Sequence, residues 1–92
     1  MMTMIICAID DLIFSIKVQT AAKSLQADVY FERSGDKLLP TIREKRPSLV
    51  ILDLNSARLR PLEAIATLKR DPELNAIRTL GYVAHDAPAM QT

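Results

Sequence analysis

Ser48-Leu49-Val50-Ile51-Leu52-Asp53 is an unbroken aliphatic, partly β-branched run closed by an acid. A run without polar alternation is what a strand covered on both faces looks like, so it predicts a central, parallel strand. Upstream, Met4-Ile5-Ile6-Cys7-Ala8-Ile9 has the same character and ends on Asp10-Asp11. Asp28-Val29-Tyr30-Phe31 reads as a short second strand. Arg78 to Ala84, with Leu80, Tyr82 and Val83, reads as a fourth.

Helical spacing fills the gaps. Phe14, Val18, Ala21 and Leu25 fall at intervals of four, three and four, which predicts one apolar face, with Lys17, Gln19 and Lys23 on the wetter side. Asp10 or Asp11 stands where a helix cap is useful. Ser34-Gly35-Asp36 is a turn and helix start, followed by Leu38, Leu39 and Ile42 as the buried face. Pro40 removes a backbone hydrogen bond there, so this helix is expected to be short or irregular. After the loop Asn55 to Arg60, Pro61 suits the first position of a third helix. Leu62, Ile65, Ala66 and Leu68 carry it to Arg70, and Asp71-Pro72 marks its end. His85 to Thr92 is short and polar. The order β-α-β-α-β-α-β predicts an α/β fold, a doubly wound parallel sheet with helices on both faces.

The totals fit one small domain spanning residues 1–92, with little stability to spare. Apolar residues make up 49% and charged ones 25%, which is ordinary for a folded chain. A formal net charge of +1 does not call for nucleic acid or an anionic membrane as partner. Two Phe, two Tyr and no Trp argue against a platform for stacking bases. Cys7, the one cysteine, reads as a small buried hydrophobe. No apolar run approaches the ~20 residues of a membrane span, and the start lacks a basic region before its apolar stretch. A cytoplasmic protein is the expectation.

In an open parallel sheet, ligands bind outside the carboxyl ends of the strands, near the point where strand order reverses. Asp10-Asp11 and Asp53 converge there if strands one and three are neighbours. Convergent carboxylates repel unless a cation neutralises them, and hard oxygen ligands suit Mg²⁺. The carbonyl of Asn55 adds a further candidate ligand. One carboxylate can also attack phosphorus, since aspartate forms aspartyl-phosphate intermediates. The bland alternative is that all three acids are caps and solvated loop residues.

Ile5 to Leu12 with its acidic pair, Leu49-Val50-Ile51-Leu52-Asp53-Leu54-Asn55, and Leu62 to Ala84 with Asp71-Pro72 together resemble the receiver domain of bacterial two-component response regulators. The resemblance covers about Met4 to Ala87. It implies a flavodoxin-like receiver fold of strand order 2-1-3-4-5. It also implies phosphorelay signal transduction, with Asp53 accepting phosphate from a histidine kinase. Asp11, Asp53 and the Asn55 carbonyl are implied as direct Mg²⁺ ligands, and Asp10 as a ligand mainly through water. Such a protein is a signalling phosphoprotein rather than an enzyme.

The chain departs from that pattern in three places. Val83 stands where the family has Thr or Ser at the end of strand four, and alternation is expected to point Tyr82 to the opposite face. The chain ends at Thr92, before the family's lysine-bearing fifth strand and last helix, so the domain is expected to be incomplete at its C-terminus. The loop Ser56-Ala57-Arg58-Leu59-Arg60-Pro61 replaces a stretch that commonly holds Pro and Gly; its arginines read as solvated, or as partners of phosphate or a protein. His85 reads as a solvated loop histidine. Without a fifth strand, strand four is an apolar edge, which predicts a dimer or exchanged-segment assembly there, or else a chain cut from a longer protein. Two functions compete: a phosphoacceptor receiver, and a phosphorylation-independent pseudo-receiver that acts as a protein–protein interaction module. A small metal-dependent phosphatase is a third reading, and it lacks an evident general acid.

Overall fold

Four aliphatic segments form four strands: β1 (Thr3–Ala8), β2 (Ala27–Phe31), β3 (Leu49–Asp53) and β4 (Arg78–Tyr82). Three helices connect them: α1 (Leu12–Ser24), α2 (Gly35–Lys45) and α3 (Pro61–Arg70), with a 3₁₀ turn at Ala57–Leu59. The computed structural model describes residues 3–83. The strands are parallel in the order β2-β1-β3-β4. Ile5 lies beside Val29 on one side and Leu49 on the other; Ile51 lies beside Leu80, and Asp53 beside Tyr82.

This order places the helices. Right-handed crossovers that step from β1 outward to β2, and from β2 and β3 in the other direction, put α1 on one face and α2 and α3 on the other. The α2/α3 face is closed. Ile6, Ala8, Val50 and Leu52 are fully buried there, against Leu38, Ile42, Ala64, Leu68, Leu59 and Leu74. Each of the Ile, Leu and Val side chains contributes about 1.5–3 kcal/mol relative to exposure. The α1 face carries Ile5, Cys7, Leu49 and Ile51, the alternate residues of the same strands.

Local differences from the sequence expectations have physical causes. The inner face of α1 is Phe14, Ser15, Val18 and Ala22, one residue round from the expected stripe; Ala21 and Leu25 are exposed. Alanine and serine at the contact let the helix approach the sheet closely. In α3, Pro61, Ala64 and Leu68 are buried and Leu62 is exposed. The helix α2 runs unbroken through Pro40 for eleven residues, correcting the expectation of a short or irregular helix. Pro40 is exposed, so its ring faces solvent, and the packing of Leu38 and Ile42 on both sides holds the turn together. β4 ends at Tyr82, and Val83 lies outside it. Ala84 and the His85–Thr92 segment lie outside the described residues. Among the described residues there is neither a fifth strand nor a helix after β4.

Candidate functional site

The chain leaves β1 towards β2 on one side, while β3 lies on the other. This opens a crevice at the carboxyl ends of β1 and β3, where an α/β sheet binds its ligands. Asp10 and Asp11 follow β1, and Asp53 is the last residue of β3. Topology therefore brings the three predicted acids to one end of the sheet, but each carboxylate has its own local engagement.

Asp11 is the N-cap of α1. Its Oδ1 accepts from the amides of Ile13 at 2.9 Å and Phe14 at 3.2 Å, and its carbonyl accepts from the Ser15 hydroxyl at 2.9 Å. These bonds satisfy amides that the helix leaves without partners. Asp53 is only 4% exposed. Its Oδ1 accepts from the Asn55 amide at 3.0 Å, a tight turn that presents Asn55 at the crevice. Asp10 faces the 3₁₀ turn: Oδ1 accepts from the Arg58 guanidinium at 2.5 Å, and Oδ2 from the Ser56 hydroxyl at 3.4 Å. The Arg58 and Asp10 side chains are 64% and 36% exposed, so this pair is worth at most about 1 kcal/mol. Arg58, read from sequence as solvated, thus lends its positive charge to the acidic site.

Next to this loop, Arg60 pairs with Asp36 at the start of α2 at 2.5 Å. A shallow cavity of about 560 Å³ lies between Arg33, Ser34, Asp36, Arg58 and Arg60. Gly35 is required here by close approach: a Cβ would meet the Arg58 carbonyl oxygen at 2.6 Å. Glu32, which the sequence did not flag, is buried. It accepts from the Thr41 hydroxyl at 2.8 Å and the Ser34 amide at 3.2 Å, tying the end of β2 to α2. No sequence pattern marks such a pairing, because it depends on where α2 docks.

Tyr82 corrects a sequence expectation. It lies beside Asp53 in the sheet, and parallel partners point to the same face. Its ring stacks on Phe14 of α1, with centroids 4.1 Å apart and planes 19° from parallel. Its hydroxyl is buried and has no hydrogen-bond partner. Burial raises the phenol's pKa above its ordinary value, and the negative charges of Asp53 and Asp11 raise it further. The phenol is therefore a neutral hydrogen-bond donor beside the two carboxylates, though short of hydrogen-bond geometry with Asp53.

The donor chemistry of Asp10, Asp11, Asp53 and the Asn55 carbonyl suits a hard cation such as Mg²⁺. As arranged, among the described residues no three His, Cys, Asp or Glu side chains are grouped to hold a metal ion. Arg58 is the cation that Asp10 has in this structure.

The fold matches that of the chemotaxis response regulator CheY4 of Vibrio cholerae, with a TM-score of 0.80 over 99% of this chain and 76% of that one. The fold is a receiver fold. Sequence identity with CheY4 is 14%, so the likeness is one of architecture. No protein-family sequence model matches the chain, and no curated protein matches it by sequence. Among the described residues, the four-stranded order β2-β1-β3-β4 displays the expected flavodoxin-like receiver fold, with neither a fifth strand nor a last helix. No helix among the described residues is long and apolar enough to cross a membrane.

Proposed function

We propose that the chain is a phosphoacceptor signalling domain in which Asp53 takes a phosphoryl group from a histidine kinase. The observation that carries this reading is the burial of Asp53 at the switch point of a receiver fold, next to the Asp10-Asp11 loop. A carboxylate oxygen of Asp53 forms a bond to phosphorus as the donor's phosphorus–nitrogen bond breaks, and the donor histidine keeps the electron pair. Asp11, Asp53 and the Asn55 carbonyl would hold Mg²⁺, with Asp10 reaching it through water once Arg58 has released it. Bound there, the ion would offset the charge of the incoming phosphoryl oxygens.

Intact mass after incubation with a small phosphodonor and Mg²⁺ tests the reading. One added phosphoryl group is expected, lost in Asp53→Asn and on Mg²⁺ removal. No gain, where a receiver control reacts, would overturn it.

A second reading, an interaction module that needs no phosphate, is favoured by one observation: Asp10 of the acidic pair is engaged by the Arg58 guanidinium. Such a module would use the edge of β4, the outer strand among the described residues, where Leu80 is 53% exposed. Solution scattering over a concentration series is expected to show the apparent mass rising towards a dimer. A constant monomer mass at high concentration would exclude association through that edge.

A further inference from the structure

A buried hydroxyl without a partner forgoes about 1–3 kcal/mol of hydrogen bonding, and in a folded protein it calls for an explanation. Tyr82 Oη is such a group. It is not there for want of an apolar alternative, because a phenylalanine would keep the stack on Phe14 without burying a donor. The hydroxyl belongs to the residue that neighbours Asp53 in the sheet, and the Asp53 and Asp11 carboxylates act on it electrostatically. The Asp53 carboxylate is near enough to act on it, but the two are not in hydrogen-bond geometry.

We propose that Tyr82 is a positioning residue for the Asp53 site, its hydroxyl donating to an oxyanion carried on Asp53 and its ring passing that engagement to α1 through Phe14. The proposal rests on the phosphoacceptor reading and goes beyond it by assigning the donor and the helix that responds. A phosphoryl group on Asp53 adds anionic oxygens at the end of β3, where Tyr82 is the adjacent strand partner. A neutral donor beside an anion makes a charge-assisted bond, stronger than one between neutral groups. Tilting the phenol towards that oxygen changes its face-to-face contact with Phe14. Phe14 lies in the first turn of α1, which Asp11 caps and which carries Leu12, Ile13 and Ile16 exposed on its outer side. Phosphorylation is thus read out on the amino-terminal turns of α1. Val83 needs no hydroxyl in this scheme.

The chain offers a direct probe. It has two tyrosines and no tryptophan, so in the full-length Tyr30→Phe variant Tyr82 is the sole source of tyrosine emission. The probe is beryllium fluoride with Mg²⁺, a mimic of the phosphoryl group. Bound fluoride is followed separately by ¹⁹F NMR, and α1 by the methyl resonances of Ile13 and Ile16.

The expected result is a bound ¹⁹F signal, a change in Tyr82 emission and shifts in the Ile13 and Ile16 methyls. All are lost in Asp53→Asn. Affinity for the mimic should fall about tenfold in Tyr82→Phe, the worth of one hydrogen bond to a charged group, with the methyl shifts abolished. Bound fluoride with unchanged emission, and equal affinity in Tyr82→Phe, would overturn the role of Tyr82 and leave the phosphoacceptor reading intact. No bound fluoride at all would overturn that reading and this inference with it. Because Tyr82→Phe keeps the ring, a general loss of folding would not imitate the expected pattern; its far-ultraviolet spectrum and melting temperature serve as the check.

Discussion

The two faces of the sheet are built from alternate residues of the same four strands, yet they end in different states. On the α2/α3 face, Ile6, Val50 and Leu52 are fully buried beneath two helices and the loop residue Leu74. On the other face, among the described residues, a single helix covers four strands. Cys7 and Ile9 are fully buried, Leu49 and Ile51 are only partly covered, and Leu80 stands half in solvent. At the amino ends of the strands this open side continues into a groove of about 660 Å³ lined by Ile5, Leu49, Ile77 and Arg78. Cover, not strand composition, decides which apolar residues contribute to stability. The acidic crevice sits at the other end of the strands, where loops from both faces meet.

The largest expected effect comes from the closed face. Ile42→Ala leaves a cavity among fully buried side chains and should lower unfolding free energy by about 2–5 kcal/mol in urea titrations. A loss below 1 kcal/mol would show that this core is not the one that holds the fold. A smaller effect, dependent on pH, is expected where α2 meets the loop after α3. Asp71 accepts from the Glu73 amide at 2.9 Å and pairs with Arg43 at 2.6 Å. These contacts, the amide first, lower its pKa below the ordinary 3.8. A depressed acid contributes stability that is present above its unfolded-state value and fades as pH falls through the folded one. Asp71→Asn should therefore flatten the decline in stability below about pH 4, the two curves converging once pH has fallen through the folded-state value, as followed by melting temperature. A mutant curve parallel to the wild type would deny Asp71 this role. The smallest effect belongs to the open face. Leu80→Ser should change stability by no more than about 0.5 kcal/mol. If the edge of β4 associates, the same substitution lowers the apparent mass in scattering. A core-sized loss of stability at Leu80 would erase the contrast between the faces.

Much of the fold was legible because its signals are local. Continuous aliphatic runs marked β1 and β3, Pro61 marked the start of α3, and Asp10-Asp11 marked the junction where Asp11 proves to be the cap. Pro40 misled because tertiary packing outweighs a single lost backbone bond. At the candidate site, the positions of Asp10, Asp11, Asp53 and Asn55 could be anticipated from strand ends. The partnership of Arg58 with Asp10 could not, since 48 residues separate them and the pairing depends on how the 3₁₀ turn folds over β1. Tyr82 was misjudged for a related reason: alternation says that neighbouring residues face opposite ways, but which of the two faces Asp53 is settled by register with β3.

By itself, then, the sequence determined the element order, the parallel sheet and the acids at the strand ends, all of which follow from the periodicity and chemistry of neighbouring residues. The tertiary structure alone decided that Arg58 pairs with Asp10, that Tyr82 shares the face of Asp53, and that among the described residues one side of the sheet is less covered than the other. Those outcomes depend on strand register and on which face each crossover takes, and both arise from contacts between segments far apart in the chain.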